Sequence, residues 1–379
     1  MYEQRLLFCR PALQIHPRRV LLPAPQSPPA PLSDPSWALG LRLYQGLCTD
    51  PSSVNTLFSP LLVASSLTAL EDGSTGTTAS QLQDLLKTPS PAKNEADSGL
   101  VLSGMLKRFI EANGSSFHLH TSSALFSKNT PQLNQDFVKD SKTRFRVQHQ
   151  LLAKGDFKAD LKQVHSWAKT GLGGLEGAPL AAEIQAKIGA LFLANAVRFR
   201  GLYHNYEDIE NMVQVLEVPL WGGKASIVFL LPFHVKSLAR LEKLLTVELL
   251  SKWLEKTNVT SVSISLPTAN LTSTLSLQTQ LSTLGLTDTW DQKSADFSGM
   301  SQKSKGKLYL GEVLQWASLE LTAQAGEGAA ELEEEHIEKP KLFYADHLFI
   351  IFVRDNSSGA LLLVGALDHA EGKALHNEL

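Results

Sequence analysis

Leu57-Phe-Ser-Pro-Leu-Leu-Val-Ala-Ser-Ser-Leu67 reads as a helix entrance followed by a helix with almost no polar side. Ser59 has the side chain of an N-cap, whose oxygen accepts from an early backbone N–H. Pro60 at the first helical position brings a preset φ where its missing N–H costs nothing. The body, Leu61–Leu70, is apolar nearly all round, and such a helix belongs inside a large core. Amphipathic helices flank it. Trp37, Leu41, Leu43, Tyr44 and Leu47 recur at helical spacing ahead of the Thr49-Asp-Pro51 turn, and Thr78–Leu86 repeats the pattern before Pro89.

Farther out, alternating or apolar runs predict strands at Ser122–Phe126, Ile188–Val197, Ser226–Leu231, Val262–Leu266, Leu348–Val353 and Ala360–Gly365. Leu238–Lys256 reads as one helix with a charged face. Helices and strands in this mixed order, without an internal repeat, predict an α+β fold wrapped on one large sheet. At 379 residues and 43% hydrophobic content, the chain has material for a large core. Thirty-five basic residues against 38 acidic ones give a formal charge of -3, which lacks the basic field of a general nucleic-acid binder. The longest apolar runs fall well short of the roughly 20 residues of a membrane span. Two cysteines, Cys9 and Cys48, leave no disulfide framework and no cysteine-based zinc site.

The two ends differ from the body. Residues 1–34 form a Pro/Arg-rich leader expected to be disordered, since Pro23–Pro31 removes backbone donors and the apolar residues are scattered. Its only apolar run, Leu6-Leu-Phe-Cys9, is too short for a secretory signal and is interrupted by Arg10-Pro11. The chain closes on His376-Asn377-Glu378-Leu379, a variant of the tails that retain proteins in the endoplasmic reticulum through a retention-signal receptor. Four glycosylation sequons, at Asn113, Asn258, Asn270 and Asn356, agree with that compartment. A leader without a signal and a tail that requires one point to an incorrect or alternative N-terminus.

No Gly-x-Ser-x-Gly, His-Glu-x-x-His or phosphate-loop pattern is present. Gly171-Leu-Gly-Gly-Leu-Glu-Gly177 lacks dinucleotide spacing and follows a helical pattern, so it reads as a loop. His118 and His120 share a strand face but have no third ligand near them in sequence. The acidic run around Glu331, Glu333 and Glu338 reads as a solvated loop. The reading predicts no enzyme, no cofactor and no metal.

Several segments together carry a resemblance. Leu57–Leu67 looks like the second helix of serpins, and Gly76-Thr-Thr-Ala-Ser-Gln-Leu82 is similar to their next helix. Leu191-Phe-Leu-Ala-Asn-Ala-Val197 resembles their central strand with its buried asparagine. Phe343-Tyr-Ala-Asp-His-Leu-Phe349, Phe352-Val-Arg354 and Leu362-Leu-Val-Gly365 resemble the C-terminal signature, with Leu348 where serpins usually carry proline. The resemblance spans residues 35 to about 368 and implies the serpin fold: a large central sheet, additional sheets and about eight to nine helices. It divides the chain into the leader (1–34), a serpin domain (35–370) and a tail (371–379).

Within the family, Pro340-Lys-Leu-Phe-Tyr-Ala-Asp-His347, Arg240–Leu245, Ser263-Ile-Ser-Leu-Pro267 and the retention tail resemble the collagen-binding chaperone branch of the endoplasmic reticulum. That resemblance implies a monomer that binds the collagen or procollagen triple helix without inhibiting proteases. Asp346 would grip a collagen arginine through two parallel hydrogen bonds, with Leu342 and Tyr344 as apolar contacts and Ser265 beside them. The residues alone allow another reading, in which Leu342 and Tyr344 are core and Asp346 caps a turn. His347 and His234 match candidate pH sensors of the branch, although Phe233 replaces a second histidine and His347 could equally be a structural donor.

Inhibitory serpins insert a cleaved loop as a new strand of the main sheet. The corresponding loop here runs from about Gly326 to Pro340, and its period-2 pattern puts Glu327, Ala329, Glu331, Glu333 and Glu335 on one side. The family hinge places that side inward, where each carboxylate costs several kcal/mol. Two alternatives stay open: a protease inhibitor of the serpin type, and a truncated inactive paralogue. The second arises because serpins continue for about 30 residues after Arg198-Phe-Arg-Gly201, whereas here Gly201 runs straight into Leu202-Tyr-His-Asn-Tyr206.

Overall fold

The computed structural model describes residues 34–48, 56–87, 98–111, 117–128, 132–152, 156–177, 191–201, 208–210, 213–220, 224–233, 238–257, 262–265, 269–301, 307–321, 341–345, 347–367, 369–370 and 373–374. Helix α1 (Pro35–Leu47) buries the Trp37–Leu47 face. A short strand, β1 (Thr56–Phe58), precedes Ser59, which accepts from the Leu62 N–H and starts α2 (Pro60–Asp72). Every residue from Pro60 to Leu70 is buried, as a helix without a polar side requires. Then come α3 (Gly76–Leu86), α4 (Ser98–Glu111), β2 (Phe117–Ser127), α5 (Gln135–Phe145), β3 (Val147–Leu151), α6 (Phe157–Gly171) and β4 (Leu191–Gly201).

After β5 (Asp208–Glu210), β6 (Val213–Pro219) and β7 (Ala225–Pro232), the expected single helix over 238–256 is two. Helix α7 (Leu238–Leu244) ends where Gln45 of α1 donates to the carbonyls of Glu242 and Leu245, at 3.1 and 2.9 Å. Thr246 then accepts from the Leu249 N–H at 3.1 Å and caps α8 (Val247–Glu255). Satisfied carbonyls on one side and a side-chain cap on the other make the break. The chain continues through β8 (Val262–Ser265), β9 (Ala269–Ser276), α9 (Gln278–Thr283) and β10 (Leu310–Leu321). It closes with β11 (Lys341–Tyr344), β12 (Phe349–Asp355), β13 (Leu361–Leu367) and a small hairpin of β14 (His369–Ala370) and β15 (Lys373–Ala374).

Two large sheets organise these elements. One has the order β1-β13-β12-β7-β6-β5, and the other β3-β2-β4-β10-β9. In the second, β4 and β10 run parallel and pair directly from Leu191/Leu310 to Gly201/Leu321. Helix α2 covers one face of this sheet and α6 the other. Asn195 of β4, fully buried, accepts from Ser123 of β2 at 2.7 Å and donates to Ser66 of α2 at 3.1 Å. One buried amide thereby ties two strands to the core helix, with its polar atoms satisfied as burial demands.

On the α6 side, Trp167 packs edge-on against Phe126 of β2 and against Trp316 of β10, at 5.6 and 6.2 Å between ring centroids. Gly171 lies so close that a Cβ would meet Ser122 and Ala196 at 2.8 Å. The glycines after it form the predicted loop, with Gly173 and Gly174 at positive φ. Across the first sheet, Arg354 of β12 reaches over β7 to Glu217 of β6 and donates twice to its Oε1, from Nε at 3.0 Å and Nη2 at 2.6 Å.

Candidate functional site

Strand β11 pairs in parallel with β8 in a separate two-stranded sheet. Its alternation decides which residues can meet a partner. Phe343 is fully buried and leans on Phe229 of β7, 6.2 Å between centroids, and Phe349 also packs against Phe229 at 5.9 Å. Anchoring Phe343 inward turns Tyr344, the next residue of the strand, outward. Tyr344 is accordingly 50% exposed, which is not the setting of a core residue. Position 342 shares the Tyr344 face of the strand, in register with Ser263. Ser265 stands directly opposite Tyr344. The structure therefore brings together three of the four predicted contact positions; the fourth, Asp346, lies outside the described residues, between buried Ala345 and half-buried His347.

His347 donates from Nε2 to the carbonyl oxygen of Pro232, 2.6 Å away at the end of β7. A carbonyl can only accept, so Nε2 carries the proton. Phe233, next along the chain from Pro232, is 43% exposed. No sequence signal marked it as a surface aromatic; only the placement of the β7 end beside His347 does. His234 lies outside the described residues.

The other predicted sites divide the same way. Gly326, Glu327, Glu331 and Glu333 of the loop, the sequons at Asn113 and Asn258, and the tail residues His376–Leu379 lie outside the described residues. Asn270 lies in β9, in register with Glu320. Asn356 sits in the turn after β12, where its amide oxygen accepts from Ser226 at 2.9 Å. His118 and His120 are exposed on either side of buried Leu119, and among the described residues no group of side chains could hold a metal ion. No described helix is long and apolar enough to cross a membrane.

At the seam of the second sheet, Arg198 of β4 donates to Glu320 of β10 at 3.2 Å. Both side chains are 20% exposed. A strand inserted between β4 and β10 would have to break this pair along with the whole parallel ladder.

The family model described as "Serpin (serine protease inhibitor)" matches residues 36–206 and 200–369. The chain belongs to the serpin family. The two matched stretches meet where Gly201 runs into Leu202, the place at which the sequence departs from the family pattern. Serpin H1 of Mus musculus is 32% identical, over 92% of this chain and 90% of its own. Serpin H1 of Gallus gallus is 31% identical over 92% and 93%. Serpin B10 of Sorex araneus is 26% identical over 86% and 96%. The serpin fold is shared with the crystal structure of native protease nexin-1 with heparin, at TM-score 0.76 and 19% identity over 89% of this chain and 99% of that one. Uncleaved ovalbumin matches at TM-score 0.75 and 18% identity, over 89% and 99%.

Proposed function

We propose that this serpin is a non-inhibitory chaperone of the endoplasmic reticulum that binds the collagen triple helix. The observation that carries the reading is Tyr344, half-exposed on a strand whose neighbouring side chain is locked in the core and standing opposite Ser265. The similarity to Serpin H1 over nearly the full chain supports it. A triple helix is a narrow rod without deep features, so a flat aromatic beside a carboxylate is a suitable reader. Asp346 grips a collagen arginine through paired charge-assisted hydrogen bonds. Tyr344 and Leu342 cover apolar stem and neighbouring side chains. Retention through His376–Leu379 and glycosylation at the sequons belong to the same reading.

The test is binding of the folded chain to an arginine-bearing triple-helical peptide at neutral pH. Asp346→Asn removes a charge-assisted pair worth roughly 1.5–3 kcal/mol, an affinity loss of at least about tenfold. Tyr344→Ala weakens binding with Asp346 intact. Equal binding by wild type and Asp346→Asn would end the proposal.

A second reading, protease inhibition, is favoured by the directly paired parallel seam of β4 and β10. The loop sequence opposes it, because insertion would place glutamates between two covered faces of the sheet, at several kcal/mol each. The expected outcome is cleavage within 326–340 with no stable covalent complex, read on a denaturing gel with trypsin- and chymotrypsin-like proteases. A persistent complex with any of them would reverse this.

A further inference from the structure

We propose that a cavity between α2, α4, α5 and the edge of β2 binds a small amphipathic carboxylic acid. The cavity measures about 250 Å³. Its apolar wall is Leu62 of α2 with Leu106 and Ile110 of α4. Leu62 and Leu106 are buried and Ile110 is half-buried, so the wall reaches from the core to the surface. Lys142 and Arg146 line its other side. Lys142 stands in the last turn of α5 and Arg146 at its cap, so the two cations are close in the chain as well as along the cavity. Both are exposed.

Two further features make this more than a gap between helices. Arg146 is, among the described residues, the only one other than glycine at positive φ. It closes α5 in the left-handed conformation, with its N–H donating to the Ser141 carbonyl. Glycine is the residue that takes this position without strain, so an arginine there holds a cation at the cavity at a conformational cost. The second feature is the sheet edge. Strand β3 pairs with β2 only from Ser123 onward, so Thr121 and Ser122, which line the cavity, sit just before that pairing begins.

The ligand class follows from size and charge. A cavity of ~150 Å³ accepts benzene, and drug-sized ligands begin at roughly 300 Å³. The space here therefore suits an acid of about eight carbons. Its carboxylate would sit between Lys142 and Arg146, the latter able to bond both oxygens, and its tail would run along Leu62, Leu106 and Ile110. A neutral molecule of the same length would keep the apolar contact and lose the grip.

The experiment is a titration of the full chain with octanoate, followed by methyl NMR, with 1-octanol as the neutral control. Octanoate should shift the methyl signals of Leu62, Leu106 and Ile110 in a saturable way, and octanol should bind at least about fivefold more weakly. Arg146→Gly, which keeps the backbone conformation, combined with Lys142→Gln should weaken octanoate about tenfold and leave octanol unchanged. Methyl mapping on the unsubstituted chain tests the site even where a variant folds poorly. Shifts absent from these three residues or spread over the surface would overturn the proposal. So would equal binding of octanol and octanoate, or an unaltered double variant.

Discussion

Replacing Arg354 by methionine probes the bridge that Arg354 and Glu217 throw across β7. The Arg354 side chain is 4% exposed and that of Glu217 14%, so neither charge has adequate water once the other is gone. Removing one member of such a buried pair costs about 3–5 kcal/mol, most of it the penalty of the charge left behind. Glu217 keeps some hydration, which places Arg354→Met near the lower end, about 3 kcal/mol. Against a total stability of roughly 5–15 kcal/mol this is a large fraction. With a urea dependence of roughly 3 kcal/mol per molar, the unfolding midpoint should fall by about 1 M. Glu217→Leu alone should cost a similar amount by stranding the arginine. The double variant Arg354→Met/Glu217→Leu removes both charges and should return to within ~1 kcal/mol of the parent. Urea unfolding of all four proteins closes the cycle. A single variant within ~0.5 kcal/mol of the parent, or a double variant as unstable as the sum of the singles, would refute the argument.

Gly365 of β13 pairs with Leu57, and a Cβ there would lie 2.3 Å from the Thr56 carbonyl oxygen and 2.9 Å from Leu57 Cδ1. Gly365→Ala must push β1 away, and a loss of about 2–3 kcal/mol is expected in chemical unfolding. His149 of β3 is bonded through Nε2 to Ser127 at 2.7 Å, and burial depresses its pKa below the ordinary imidazole value of 6.5. The folded state therefore binds the proton less well than the unfolded chain. Stability is intact above the ordinary imidazole pKa and is lost as pH falls below it toward the depressed folded value. His149→Gln should flatten that slope, read as melting temperature between pH 7 and 5; an unchanged slope would assign it to other groups.

The parts of the fold visible in the sequence were those with a local cause. Ser59-Pro60 dictates a helix start whatever surrounds it, and an apolar body such as Leu61–Leu70 has nowhere to go but inside. Strand β10 has no local signature, because Glu312, Gln315, Ser318 and Glu320 interrupt its apolar pattern. Its context explains them: Glu312, Gln315 and Ser318 are buried in the sheet, and Glu320 meets Arg198. The break between α7 and α8 was hidden for a related reason, since the side chain that finishes α7 comes from Gln45, 200 residues from Leu245. At the candidate site, period-2 spacing put Leu342, Tyr344 and Asp346 on one face but could not say which face was wet. Phe343 settles that for Tyr344 by filling space beside Phe229, a contact no spacing rule contains. The Arg354–Glu217 bridge was invisible because it joins strands that are not neighbours.

Trp167 and Trp316 stand on opposite sides of a question about movement. One rides on α6 and the other on β10, while β4 runs between Trp316 and the Phe126 that Trp167 also touches. An extra strand between β4 and β10 would displace Trp316 by about 4.8 Å, one strand spacing, unless α6 slid with it. Two indoles held 6.2 Å apart in a fixed relative orientation have near-ultraviolet bands sensitive to that setting, so the protein has a built-in optical gauge. Its near-ultraviolet circular dichroism reports whether the sheet stays shut after the loop is cut, with no label attached.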